Sequence, residues 1–457
     1  MKIVVVGGGT LGSAIIDALS KERHDISLIE SDASAAEKLD ARYDILTVCG
    51  NGVSKSDQEE AGVPGADLLI TSSDSDELNM LCCLMARKVG AKHTIARVRD
   101  PEYASELDFL SEELGLSMWV NPEQSAAAEI ARVMLSGGAL QMETFAGGNA
   151  QLVEILLTND MSADGIKLRD FPRIFSARVL ICAVKRGNDV FIPDGEFELC
   201  QGDRLSITAA PEELDKLYKS LRIAHHRVKD VMIIGGGRIA FYLIPLLSDA
   251  KIAITVVEQD LARCRELAET FPNINVLHAD ATEQDYLKSI GIGKYDAVAA
   301  LTGDDEDNLV IAMYAVAEGV SRTTVKITRD TLLPIAERVF DGTIISPKRA
   351  AADKIVHYIR GLAGSPGGSI EALYHIVGGM AEALEFHARA ESEAVGTPLR
   401  DMPIKKGVLI AGIIRADGRG KVSAIIPGGN DIIQAGDRVI VVTASKKLSG
   451  LDDILDA

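Results

Sequence analysis

Two glycine loops are the parts of this sequence best suited to do chemistry. Gly7-x-Gly9-x-x-Gly12 follows a run of apolar β-formers, Thr10 and Leu11 open a helical pattern, and Glu30 ends the next apolar run. A first glycine permits a tight turn, a second lets backbone approach a pyrophosphate, and a third lets the helix pack closely. The helix then offers free N–H groups and the positive end of its dipole to the phosphates. Glu30 is placed to accept hydrogen bonds from the hydroxyls of an adenosine ribose. A carboxylate there repels a 2′-phosphate, so NAD(H) or ADP/ATP is expected over NADP. The pattern returns as Gly235-x-Gly237-x-x-Ala240 with Glu258 in the acidic position. Arg238 stands where the first copy has Thr10, and its side chain either meets a phosphate or points to solvent. One such loop is a weak signal, but a preceding strand, a following helix and the acidic residue strengthen it.

The loops need a scaffold, and the chain supplies it twice. KIVVVGGGTLGSAI returns as DVMIIGGGRIAFYL, and ADLLITSSDSDELN as YDAVAALTGDDEDN. Strands are expected at Lys2–Val6, Ile26–Glu30, Ile45–Cys49, Asp67–Thr71 and His93–Arg97. Helices are expected near Leu11–Lys21, Ser34–Leu39, Lys55–Ala61 and Asp76–Val89. Strands alternating with helices of this length argue for a parallel, doubly wound sheet. In such sheets ligands bind beyond the carboxyl ends of the strands. That edge would carry Asn51 and Asp280 after the third strand, near the adenine or ribose. Ser73 and Thr302 follow the fourth strand, and Arg97 and Lys326 end the fifth, where they would balance phosphate charge. The plainer alternative for Arg97 and Lys326 is a surface ion pair. Helices at 121–138 and 346–361 close the two units.

A fainter repeat follows each unit, seen in QGDRLSITA and QAGDRVIVVTA. These smaller modules read as short strands around one helix, with turns at Pro193-Asp194-Gly195 and Pro427-Gly428-Gly429. The fold class is therefore α/β: two Rossmann-like doubly wound parallel-sheet domains, each followed by a small α/β domain. The expected boundaries are 1–138, 139–225, 226–362 and 363–457.

Apolar residues make up 47% of the 457, enough for each domain to bury a core. The net charge of −19 argues against nucleic acid, whose affinity rests on Lys and Arg, and against direct insertion into lipid. An acidic protein can still dock on the basic cytoplasmic loops of a membrane protein. No apolar run approaches the roughly 20 residues that span a bilayer, and the N-terminal stretch reads as a strand, not a signal peptide. The six cysteines form no CxxC pair and read as reduced thiols. No His/Cys cluster suggests a metal. None of the histidines, His225-His226 of the inter-half linker included, pairs with an acidic residue at a recognisable spacing, so no catalytic residue is expected. An NAD-dependent oxidoreductase is the rival reading, because fold alone does not exclude it.

Taken together, the glycine loops GGGTLG and GGGRIA, the stretches SDSDELN and TGDDEDN, and ARVRDPEY resemble the RCK (KTN) domains that regulate potassium transport. The tandem order is similar to that of the regulatory subunits of Trk-type potassium uptake systems. SDSDELN and TGDDEDN fit that family's T-x-x-D-E-x-N pattern, except for Ser73 in the first copy and Asp304 as an extra negative residue in the second. The resemblance implies smaller modules of the RCK-C kind and a nucleotide-responsive, non-catalytic subunit. It also implies a homo-oligomer, a tetramer or dimer of dimers, peripheral on the inner face of the plasma membrane and docked on a potassium-transporting subunit. An adaptor of another cation transporter is the alternative. Ala240 and Lys326, where the first copy has Gly12 and Arg97, put binding in the second half in more doubt than in the first.

Overall fold

The apolar run Lys2–Val6 forms strand β1, whose Ile3, Val4 and Val5 are wholly buried. A strand without polar alternation must be covered on both faces, the condition of a central parallel strand. It pairs in parallel with β2 (Asp25–Glu30) on one side and β4 (Leu68–Thr71) on the other, Val6 facing both Ile29 and Thr71. Adding β3 (Leu46–Cys49), β5 (His93–Arg97) and β6 (Met118–Val120) gives a six-stranded parallel sheet of order β3-β2-β1-β4-β5-β6. Helices α1 (Thr10–Ser20), α2 (Ala33–Arg42), α3 (Lys55–Glu60), α4 (Asp76–Val89), α5 (Pro101–Leu114) and α6 (Pro122–Leu135) alternate with the strands. This is the Rossmann order. Winding reverses between β1 and β4 and opens a crevice at their carboxyl ends.

The computed structural model describes the whole chain except residues 23, 136–140, 146–149, 159–160, 162, 188, 222–227, 364–369, 377–379, 417–421, 445–447, 449 and 457. His225, His226 and the expected boundaries at 138/139 and 225/226 lie outside the described residues. The chain divides into two units, Met1–Ile130 with Asp230–Val356, and Ala131–Lys229 with His357–Ala457. The first unit repeats the sheet in strands Asp230–Ile234, Ala253–Glu258, Asn275–His278, Ala297–Ala300, Arg322–Lys326 and Thr343–Ile345, ordered as in the first copy.

α5 and β6 extend the sequence reading, which ended the sheet at His93–Arg97. β6 has only three residues, too few for a period to show. α5 buries Leu107 completely but leaves Phe109 82% exposed, so its apolar residues do not mark a single face.

The second unit holds two antiparallel five-stranded sheets. One contains strands Gln141–Phe145, Ala150–Leu156, Leu180–Arg186, Asp189–Phe191 and Arg204–Ala209. The other contains Ile370–Ile376, Ala381–His387, Val408–Ala416, Val422–Ile425 and Arg438–Thr443. They share an apolar core that includes Phe145, Leu152, Cys182, Ile376, Ile414 and Ile440. The expected single helix per module is corrected in both. Among the described residues the first module has two α-helices, Phe171–Phe175 and Pro211–Ser220. The second has only 3₁₀ turns among the described residues, at Leu399–Asp401 and Leu451–Ile454. The first module starts its helix with Pro211-Glu212-Glu213, whereas the aligned residues 445–447 of the second lie outside the described residues.

Candidate functional site

The glycine loops shape the site first. Gly7 and Gly235 take φ of +92° and +99°, and a Cβ on either would press on the backbone that follows the fourth strand, 3.1 Å from Ser73 N and 2.8 Å from Leu301 C. Only glycine adopts that turn without strain. A Cβ on Gly9 or Gly237 would meet nothing within 4 Å, so these two face open space. Gly12 is packed tightly, with its hypothetical Cβ 1.9 Å from the Gly7 carbonyl oxygen. Ala240 occupies the same place in the second copy and is fully buried.

Gly9 and Gly237 are the N-caps of α1 and of helix Arg238–Asp249; neither supplies a capping side chain, and neither first turn contains an acid. α2, α3 and α4 are instead capped by Asp32, Ser54 and Ser75. The leading N–H groups of the two glycine helices are thus left for an anion, at the positive end of the dipole.

Glu30 and Glu258 stand beside these loops in matching poses. Glu30 Oε2 accepts from Gly8 N at 2.5 Å and Oε1 from Asp32 N at 2.8 Å. Glu258 Oε2 accepts from Gly236 N at 2.7 Å and Oε1 from Asp260 N at 2.8 Å. A carboxylate has about four acceptor sites, so each keeps capacity for a ribose hydroxyl. In the second copy alone Arg263 Nε also donates to the Gly236 carbonyl, at 2.6 Å.

The strand-end residues divide by what they already bond. Asn51 Oδ1 accepts from Val53 N, and Asp280 Oδ1 from Thr282 N and Oγ1, so both shape their own turns. The Thr282 backbone and hydroxyl bonds hold the Asp280 carboxyl below its ordinary pKa. Ser73 Oγ donates to Asn79 Oδ1 at 2.7 Å, and Thr302 Oγ1 to Asn308 Oδ1 at 2.8 Å. Those asparagines also donate to the carbonyls of Arg97 and Lys326, tying the fourth and fifth strand ends together. Arg97 Nη1 donates to the carbonyls of Ser72 and Ser73 and meets Asp74 at 3.3 Å. Its side chain is 11% exposed against 99% for Asp74, and its buried Nε has no partner. Lys326 Nζ donates to the Thr302 carbonyl, and burial lowers its pKa. Neither cation is an ordinary surface ion pair.

One cleft of about 820 Å³ gathers much of this. Of the residues singled out in the sequence, it is lined by Thr10, Leu11, Arg97, Gly235, Gly237, Arg238, Glu258, Asp280, Thr302 and Lys326. Gly7, Gly9, Gly12, Glu30, Asn51, Ser73 and Ala240 lie outside its lining. The cleft therefore runs along the second copy's crevice and is closed by the first copy's glycine helix and fifth-strand end. Sequence reasoning missed Arg99, Glu123 and Lys348, which also line it. Arg99 pairs with Glu123 at 2.6 Å and Lys348 with Asp330 at 2.8 Å. The available signal was position: Arg99 lies two residues beyond Arg97, and Glu123 and Lys348 begin the closing helices.

Tyr242, on the second glycine helix, joins the copies. Its hydroxyl donates to the Arg99 carbonyl at 3.1 Å and accepts from Asn121 Nδ2 at 2.9 Å. Burial pushes its pKa up to about 12. The repeat puts Ala14 opposite Tyr242 in the alignment, and Ser346 opposite Asn121.

Comparison with known proteins follows the same duplication. The TrkA-N domain model matches residues 3–122 and 231–347, and the TrkA-C domain model matches 152–222 and 384–456. Trk system potassium uptake protein TrkA homolog 1 of Methanosarcina mazei is 30% identical, covering 99% of each chain. Homolog 2 of the same organism is 29% identical over 99% of this chain and all of its own. TrkA of Halomonas elongata is 29% identical, over 98% and 96%. Among solved structures, the GsuK RCK domain has TM-score 0.62 at 18% identity, covering 97% of this chain and 92% of its own. The GsuK channel bound to NAD has TM-score 0.61 at 16% identity, over 97% and 77%. At these identities the structures speak for the fold. The domains recur twice in order and the relatives match from end to end, so the chain belongs to the TrkA family of Trk-system potassium uptake proteins.

Proposed function

We propose that this chain is the nucleotide-binding regulatory subunit of a Trk-type potassium uptake system. In this reading it lies on the cytoplasmic face of the membrane as a homo-oligomer, a tetramer or dimer of dimers, against a potassium-transporting subunit. Occupancy of its glycine loops by NAD(H) or ADP/ATP sets transport. The observation that carries the reading is the duplicated, uncapped glycine helix beside a carboxylate-ended second strand, in a chain whose relatives are named for potassium uptake over their full length. Among the described residues no helix is long and apolar enough to cross a membrane; in this reading the permeation path is the partner's. The relatives are named for a transport system and not for a reaction. One structural neighbour is a channel bound to NAD and another is GsuK bound to ADP.

The residues fit a nucleotide. Gly9 and Gly237 leave open space for a pyrophosphate to approach backbone N–H groups. Glu30 and Glu258 have acceptor capacity for ribose hydroxyls. Arg238, exposed at the start of its helix, is placed to meet an added γ-phosphate. Such a ligand regulates only by binding two arrangements of the assembly with different affinity. Moving an assembly from 1:99 to 99:1 takes about 5.5 kcal/mol, which several sites contributing ~1–2 kcal/mol each would supply.

The test is calorimetric titration of the purified chain with NADH, ADP and ATP, followed by potassium flux through vesicles carrying the membrane subunit. Saturable binding and a nucleotide-dependent flux are expected. Absence of binding by all three nucleotides would falsify the reading.

A further inference from the structure

The cleft is unusual for being shared. The first turns of both glycine helices, at Thr10 and Leu11 and at Gly237 and Arg238, open into the same space. Each of those helices has the open N–H groups that hold phosphate, and each belongs to a copy with its own ribose-ready carboxylate, Glu30 or Glu258. The phosphate ends of two nucleotide sites thus converge while their adenosine ends belong to different sheets.

The cations of the cleft point the same way. Arg99 and Lys348 are already neutralised by Glu123 and Asp330 at salt-bridge distance. Arg97, from the first copy, is nearly buried, holds backbone carbonyls, pairs with the solvent-swept Asp74, feels the charge of Glu123, and leaves Nε without a partner. Lys326, from the second copy, donates to a carbonyl and feels the charges of Asp305, Glu123 and Asp304. Burying a cation is costly, and an anion placed between the two offsets that cost beyond what the neighbouring carboxylates supply. Arg238 adds a third positive charge at the mouth of the second helix. One copy contributes Arg97 and the other Lys326 and Arg238, so a single polyanion reaching all three must cross from one copy to the other.

We infer that the two glycine loops and the shared cleft form one composite site for a dinucleoside polyphosphate. Each adenosine sits by its own carboxylate, Glu30 or Glu258, and the polyphosphate chain spans from the α1 N-terminus to Arg238. The inference rests on the reading that both loops bind nucleotides. Its physical advantage is tethering: once one adenosine is seated, the second binds at the high local concentration that the linker sets.

The experiment is titration of the full chain with diadenosine tetraphosphate and pentaphosphate, alongside ADP and NADH. Expected are one diadenosine polyphosphate per chain against two ADP, and an affinity on the order of 10²-fold above that of ADP. Glu258→Ala should cut the tetraphosphate to ADP-like affinity while one ADP still binds. Because Glu258 also holds the glycine loop, Arg238→Ala serves as a second variant on an exposed side chain. It should weaken the tetraphosphate more than it weakens ADP. Two diadenosine molecules per chain, or an affinity no better than that of ADP, overturns the composite site and leaves separate nucleotide sites standing. Failure of ADP, NADH and both diadenosine compounds overturns the nucleotide reading with it.

Discussion

Gly12 and Ala240 hold the same place in the two loops, and the second copy accommodates the methyl of Ala240 fully buried. At Gly12 the Gly7 carbonyl stands 1.9 Å from where a methyl would be, so Gly12→Ala forces the loop to move. Overpacking of this kind costs about 1–3 kcal/mol, which urea denaturation would register, and the first site should lose nucleotide. The reverse change, Ala240→Gly, relieves nothing and should cost only about 1 kcal/mol through helix propensity. Arg238 gives a sharper functional test. Replaced by alanine, it should weaken ATP about fivefold to tenfold in calorimetry, a loss of roughly 1–1.4 kcal/mol, and NADH much less. Equal losses for both ligands would remove its assignment to the γ-phosphate.

At the scale of elements, the T-x-x-D-E-x-N pattern is a clamp. Asp76 Oδ2 accepts from the backbone N–H groups of Arg99 and Asp100, both at 2.8 Å, and Asp305 accepts from those of Thr328 and Arg329. Asn79 and Asn308 complete it by bonding across the fourth and fifth strand ends. The extra acid at Asp304 is the N-cap of its helix, accepting from Asp307 N at 3.0 Å where the first copy uses Ser75. Asp305 is 4% exposed, so Asp305→Ala would strand two N–H groups in the interior. A loss of about 1–3 kcal/mol is expected, seen as a lower denaturation midpoint at unchanged slope. The pattern's presence was legible in the sequence, but its task was not. Spacing showed which residues share the helix start, whereas their partners come from a loop that only the folded sheet brings close. The sheet itself was legible through β5, because continuous Val and Ile runs between helical stretches leave few alternatives. β6 and α5 were not, one for its brevity and the other for apolar residues spread around the helix. Arg99 was hidden for a related reason, since its place in the cleft depends on the other copy.

At the scale of the two Rossmann copies together, Tyr242 is the joint to test. Its hydroxyl bonds Asn121 and the Arg99 carbonyl, so the second glycine helix is tied to the loop whose side chain lines the shared cleft. Tyr242→Phe keeps the ring and removes that tie. Stability should fall by about 0.5–1.5 kcal/mol. More tellingly, filling one nucleotide site should shift the affinity of the other less than in the unmodified chain, as read by sequential calorimetric titration. A variant with unchanged coupling would leave Tyr242 as packing only.

That joint also bears on symmetry. Tyr242 and Asn121 have Ala14 and Ser346 as their counterparts, so no matching tyrosine–asparagine pair is available where the roles of the copies are exchanged. Two identical chains meeting about a twofold axis would have to make every such contact twice or not at all. A fused pair escapes that restriction, and each copy can accumulate its own substitutions. Any closed ring built from this chain consequently has a rotational order no greater than its number of chains, half its number of Rossmann domains. The gaps between neighbouring domains then fall into two chemically distinct sets around the circle.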